Sequence, residues 1–131
     1  MTILINDNRW LHDLQHDFNR VFPFLKIEFF KKKHSEKQAS RALRLVQPNT
    51  QKVGDVRKSH EEGELGITGN MTVAQLEAFF VKQFNISVQV FRKAGRLWLE
   101  TRITNGWTLQ QQNEHGRHTT KSRGERPELF W

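Results

Sequence analysis

The sequence has no cysteine, no tyrosine, only three prolines and no run of 18 apolar residues among its 131 positions. Without cysteine there is no disulfide framework, no thiolate metal site and no cysteine nucleophile. Without a long apolar run there is no transmembrane helix, which needs about 20 such residues in a row. The opening MTILINDN carries no basic segment ahead of an apolar one, so no secretory signal is read there and the expected setting is cytoplasmic. Hydrophobic residues make up 36%, below the usual globular share, which places part of the chain outside the core. The length suits one domain with tails and is too short for two separate cores.

What the sequence has in excess is positive charge, a formal +7 that is unevenly spread. Nine basic side chains face four acidic ones between 31 and 63, beginning with Lys31, Lys32 and Lys33, whereas residues 1–30 are slightly acidic. Such a segment attracts polyanions at long range, although a solvated loop kept soluble by its lysines is the plainer account.

The chain also contains a repeated pattern. Ile3-Leu4-Ile5-Asn6-Asp7-Asn8 aligns with Leu65-Gly66-Ile67-Thr68-Gly69-Asn70, and the same offset places Leu14, Phe18 and Phe22 on Leu76, Phe80 and Phe84. One residue fewer in the following loop then sets Leu25, Ile27 and Phe29 against Ile86, Val88 and Val90, and Phe30 against Phe91. The coincidences fall at apolar positions with helical or strand spacing, so each copy reads as strand, helix, strand. The first helix carries Leu11, Leu14, Phe18, Val21 and Phe22 on one side and is stopped by Pro23. In the second, Val73, Leu76, Phe79, Phe80 and Phe84 share a side, and Thr72 with Gln75 forms a capping box. After Lys93-Ala94-Gly95 a hairpin arm over 96–103 turns Leu97, Leu99 and Ile103 to the core.

These elements define an α/β class, an α+β sandwich of duplicated βαβ units. The expected arrangement is ferredoxin-like, with an added C-terminal hairpin strand and both helices on one sheet face. Residues 1–112 form a single domain, with units at 2–32 and 64–93 around a basic insert, 33–63, that holds a short helix near Val53–His60. Thr108 is placed to cap a short helix through Gln112, and the polar stretch 113–131 reads as a disordered tail.

Two helices cover one side of a sheet, so function is sought on the other. There Phe30 and Phe91 stand at equivalent repeat positions, each followed by two basic residues, and Trp98 lies on the neighbouring strand. Lys31, Lys32, Lys33, Arg92, Lys93, Arg96 and Arg102 supply cations around them. Bases of single-stranded nucleic acid stack on such rings while lysine and arginine hold phosphates. The consensus of an RNA-recognition strand is absent, however. Cover by the insert, through Leu43, Leu45, Val46 or the piece at 53–60, is the competing account. The favoured function is binding of a protein partner or self-association through this face, with single-stranded nucleic acid as the alternative. Leu129, Phe130 and Trp131 close the polar tail as a second candidate, a docking peptide.

No catalytic or cofactor site is read. His12 and His16 have metal-ligand spacing on a helix, but both lie opposite the apolar side, where a solvated face accounts for them. His60-Glu61-Glu62 with Glu64 reads as a surface turn. No phosphate loop or nucleophile elbow is present, and no small-molecule substrate, metal or membrane partner is expected.

Overall fold

A computed structural model describes residues 1–32 and 43–124. In chain order the elements are β1 (Thr2–Ile5), α1 (Leu11–Val21), β2 (Leu25–Lys32) and β3 (Leu43–Leu45). A 3-10 turn (Val53–Asp55) leads to β4 (Gly63–Gly66), α2 (Val73–Phe84), β5 (Ser87–Ala94), β6 (Leu97–Glu100) and α3 (Leu109–Gly124). The fold is α+β, with two antiparallel sheets and three helices.

The helices begin and end where local chemistry requires. Thr72 Oγ1 accepts the Gln75 amide at 3.1 Å while Gln75 Oε1 accepts the Thr72 amide at 2.9 Å. This reciprocal pair satisfies two of the amides that every helix start leaves open. α2 closes at Asn85, which takes the left-handed conformation at φ 55°. α1 has no side-chain cap. Leu11, Leu14 and Phe18 on α1 and Leu76 and Phe80 on α2 are buried. Val21, assigned to the same stripe from its spacing, is exposed.

The strands do not join in one ferredoxin-like sheet. β1 and β4 pair only with each other, and the second sheet has the order β3-β2-β5-β6. The flanks of β2 and β5 explain this. Gln15 of α1 donates to the Ile27 carbonyl at 2.6 Å and Asn19 donates to Leu25 at 2.8 Å. On the other side Glu77 of α2 accepts the Val90 amide at 3.0 Å. Helix side chains thus occupy the strand edges that β1 and β4 would need, and β3 and β6 take the remaining lengths. In the ribbon Ile3 lies opposite Leu65, and in the larger sheet Glu28 lies opposite Gln89. Both are pairs that the sequence alignment sets at equivalent positions.

One core holds the fold. Ile3, Ile5 and Leu65 of the ribbon join Leu25, Ile27, Phe29, Val88 and Val90 of the sheet and the apolar sides of α1 and α2. Burying each large side chain contributes about 1.5–3 kcal/mol. The described part of the insert feeds this same core: Val46, Val53 and Val56 are buried, on the helix side of the sheet rather than over its other face. Only the 3-10 turn forms where a longer helix was expected.

Two further expectations fail. β6 stops at Glu100, and Leu97, Leu99 and Ile103 are 59%, 40% and 100% exposed instead of buried. Leu97 and Leu99 do lie toward the helix side, because they pair with Ala94 and Arg92, but β6 is the outermost strand of the described sheet and both side chains stay largely uncovered there. Thr101 ends the strand by turning inward, its hydroxyl donating to the Val90 carbonyl at 2.8 Å. The stretch expected to be disordered from 113 is helical as far as Gly124. Thr108 and Gln111 form a second capping box, at 2.9 and 3.1 Å, and Leu109 and Gln112 are buried. Gly116 lets the helix approach, since a Cβ there would stand 3.0 Å from Phe24 Cβ and 3.1 Å from Arg92 Cγ and the Phe24 carbonyl. Among the described residues no helix is long and apolar enough to cross a membrane.

Candidate binding face

Side chains alternate along a strand, so the residues between the buried ones of β2 and β5 share the opposite side. Lys26, Glu28 and Phe30 stand there opposite Phe91, Gln89 and Ser87. Trp98 and Glu100 continue the face across β6, opposite Lys93 and Phe91. Leu45 extends it on β3, opposite Phe30, and is exposed. Phe30, Phe91 and Trp98 are each half-buried. The three rings expected together are on one side of one sheet, and the buried set of the core is on the other.

The cations divide. Lys26 Nζ lies 4.9 Å from the centre of the Trp98 ring and 5.7 Å from that of Phe91, and Lys93 Nζ lies 6.0 Å from Trp98. Such contacts contribute about 0.5–1 kcal/mol each at exposed sites. Lys26 also pairs with Glu28 at 3.1 Å. Arg92 instead shares the helix side with Val90. Its guanidinium donates to Gln112 at 2.7 Å and rests 5.6 Å from the Trp107 ring, and burial lowers its pKa. Lys31 turns the same way and donates to the Asp55 carbonyl at 3.2 Å. Arg96 sits in the hairpin turn, and Arg102 lies beyond β6 at 3.7 Å from Glu100. Lys32 is the last residue of β2. Lys33, Leu129, Phe130 and Trp131 lie outside the described residues.

The face is bounded by α1. Where Gln15 and Asn19 reach the β2 edge, the polar side of the helix and the sheet enclose an open depression of about 650 Å³, lined by His12, Asp13, His16, Lys26, Glu28 and Trp98 among others. The histidines read from sequence as a solvated helix face are exposed and form one wall of this depression. Among the described residues no group of three histidine, aspartate or glutamate side chains is arranged to hold a metal ion.

Sequence reasoning missed a cluster built from three distant segments. Arg57 has a fully buried side chain. It donates to Asp7 Oδ1 from Nε and Nη2, at 3.0 and 2.8 Å, and to the Phe84 carbonyl at the end of α2, at 2.8 Å. His60 Nδ1 meets Asp7 Oδ2 at 2.5 Å. The hydrogen bonds from Arg57, and next those involving His60, hold the Asp7 carboxyl below its ordinary value of 3.8. His60 itself projects into solvent. No local motif marks this cluster, because Asp7 and Arg57 are 50 residues apart.

Comparison with protein families, with curated proteins and with solved structures finds no match to this chain.

Proposed function

We propose that this protein is a non-catalytic binding module of the cytoplasm that takes a protein partner on the open face of the β3-β2-β5-β6 sheet. One observation carries the proposal: Phe30, Phe91 and Trp98 share the side of the sheet opposite the buried core, where among the described residues α1 borders the face and no helix lies across it. Aromatic side chains in a patch rimmed by polar groups are the usual anchors of protein interfaces. The charges of the face favour a protein over a polyanion. Glu28 and Glu100 offset Lys26 and Lys93, while Arg92 and Lys31 are engaged on the helix side.

A second reading, single-stranded nucleic acid, draws support from the lysines stacked over Phe91 and Trp98 and from the net charge of +7. A titration with a mixed-sequence oligonucleotide, followed by amide shifts, separates the two. A protein-binding face leaves the amides of 26–30, 87–93 and 97–100 unmoved. Shifts there that fade steeply with salt overturn the proposal in favour of nucleic acid. Affinity capture from nuclease-treated extract completes the test: proteins retained by the wild type should be lost with Phe91→Ser.

We further infer that the chain is a duplication, and that the duplicated unit is longer than strand, helix, strand. Matching bridges support this: Trp10 faces Lys52 as Thr72 faces Thr108. Leu11 bonds the Gln51 carbonyl at 3.0 Å as Val73 bonds Trp107 at 3.1 Å, and Val53 bonds Arg9 at 2.9 Å as Leu109 bonds Met71 at 2.8 Å. These registers favour a unit of strand, helix, hairpin and helical turn over a ferredoxin-like strand order.

A further inference from the structure

β6 is an edge strand with unusual surroundings. Its two leucines are exposed on the helix side of the sheet, and its outer edge pairs with no strand among the described residues. An edge of this kind offers unpaired amides and carbonyls to any strand that can align with it. Which of those groups point outward follows from the hairpin. Ala94 and Leu97 flank a two-residue turn whose first residue, Gly95, has φ 67°, the pattern of a type II′ turn, in which the flanking pair exchanges both of its bonds. Arg92 with Leu99 is the next such pair inward. On β5, Val90 agrees with this phase, its amide and carbonyl going to Glu77 and Thr101 on the β6 side. The outward groups of the edge are therefore those of Trp98 and Glu100, with Arg96 at the turn.

We propose that β6 pairs antiparallel with β6 of a second copy of this chain, Trp98 opposite the second copy's Trp98, to form one continuous eight-stranded sheet. Outward groups bond only outward groups, so residues 96, 98 and 100 must face residues of the same set. Among these registers, the one with its two-fold axis at Trp98 brings opposite charges together. It sets Arg96 of each copy against Glu100 of the other, twice, on the open face. On the helix side it sets Leu97 against Leu99, also twice, covering the leucines that the monomer's own helices leave bare. A surface that meets itself about a two-fold axis in this way closes as a dimer and does not propagate. The pairing goes beyond the partner-binding reading, because it uses the strand edge and not the sheet face. It also has a consequence for that face, since the two aromatic rows become one.

The test is sedimentation equilibrium on the full chain. The wild type should be a dimer that dissociates on dilution. Arg96→Glu and Glu100→Arg each turn two attractive cross-strand pairs repulsive, and each should weaken the dimer about tenfold. Arg96→Glu/Glu100→Arg should restore it to within about threefold of the wild type. Both changed positions are exposed, so folding is not at issue. Phe30→Ser, on the face and two strands away, should leave the dimer unchanged. A wild-type chain that stays monomeric at millimolar concentration, single variants without effect, or a double variant that stays weak each overturn the pairing. Dissociation by Phe30→Ser with no response to the charge variants also overturns it, and assigns self-association to the face.

Discussion

The amino-terminal and carboxy-terminal halves each run strand, helix, strand, strand and end in a helical element, and they close with different chemistry. After β3 the first half makes only the three-residue turn Val53–Asp55 and then inserts Arg57, which bonds the Phe84 carbonyl at the end of α2. After β6 the second half makes α3, and Asn113 on that helix accepts the Phe24 amide just beyond α1, at 2.9 Å. Each half therefore braces the helix-to-strand turn of the other, once with a buried cation and once with an amide on a helix. A helix brace spreads the work over several apolar and polar contacts. An arginine brace concentrates it in one side chain whose charge must be matched by Asp7. The first half should consequently be the more brittle, and the more sensitive to acid.

The largest effect is expected at that arginine. Arg57→Ala removes three hydrogen bonds and leaves Asp7 without its buried partner, so urea denaturation should show a loss of about 3 kcal/mol. The acid limb follows from the same site. The folded pKa of Asp7 lies below its unfolded value, so its contribution is complete above the ordinary carboxylate range and is lost as pH falls through the folded pKa. In Asp7→Asn the acid part of the stability profile should flatten. Next comes Gly116→Ala. The added methyl meets the backbone carbonyl and Cβ of Phe24, which cannot move aside as a long side chain would, so the loss should be about 2 kcal/mol despite alanine's better helix propensity. Amide exchange should then quicken along α3 and not in α1, which locates the strain in the second half.

A smaller loss, about 1 kcal/mol, is expected for Thr72→Ala, which removes a helix cap that α1 does without. The smallest effect sharpens the comparison most. Glu77 and Gln15 occupy matching places, each reaching the edge of an inner strand, but burial raises the pKa of Glu77. A carboxyl whose folded pKa exceeds its unfolded one destabilises the fold once pH rises above the unfolded value. Glu77→Gln keeps an acceptor for Val90 and removes the charge. It should slightly raise the melting temperature at neutral pH, with the gain vanishing below the carboxylate range.

How much of this was legible differed from element to element. α2 could be read almost residue by residue, because Thr72, Gln75 and the apolar spacing act within a single helix. The common side of Phe30, Phe91 and Trp98 followed from the two-residue alternation of strands. Only the first turn of α3 was legible, through Thr108 as a cap; its length beyond Gln112 was not, because the stretch is polar and the close approach at Gly116 gives no apolar period. Leu97 and Leu99 were placed on the correct side of the sheet and wrongly buried, since alternation says which way a side chain points and not whether anything covers it. Arg92 was misassigned against the same alternation, which sets it on the side opposite Phe91; what the strand pattern does not show is that Gln112 and Trp107 enclose it there.

The sequence by itself determined the period of the helical and strand segments and the start of α2, both of which depend on neighbours a few residues apart. Only the tertiary structure decided that β1 and β4 leave the main sheet, that Arg57 and Asp7 meet, and that no strand among the described residues pairs with the outer edge of β6. Those outcomes depend on which groups compete for a strand edge or a buried charge, and the competitors lie tens of residues apart along the chain.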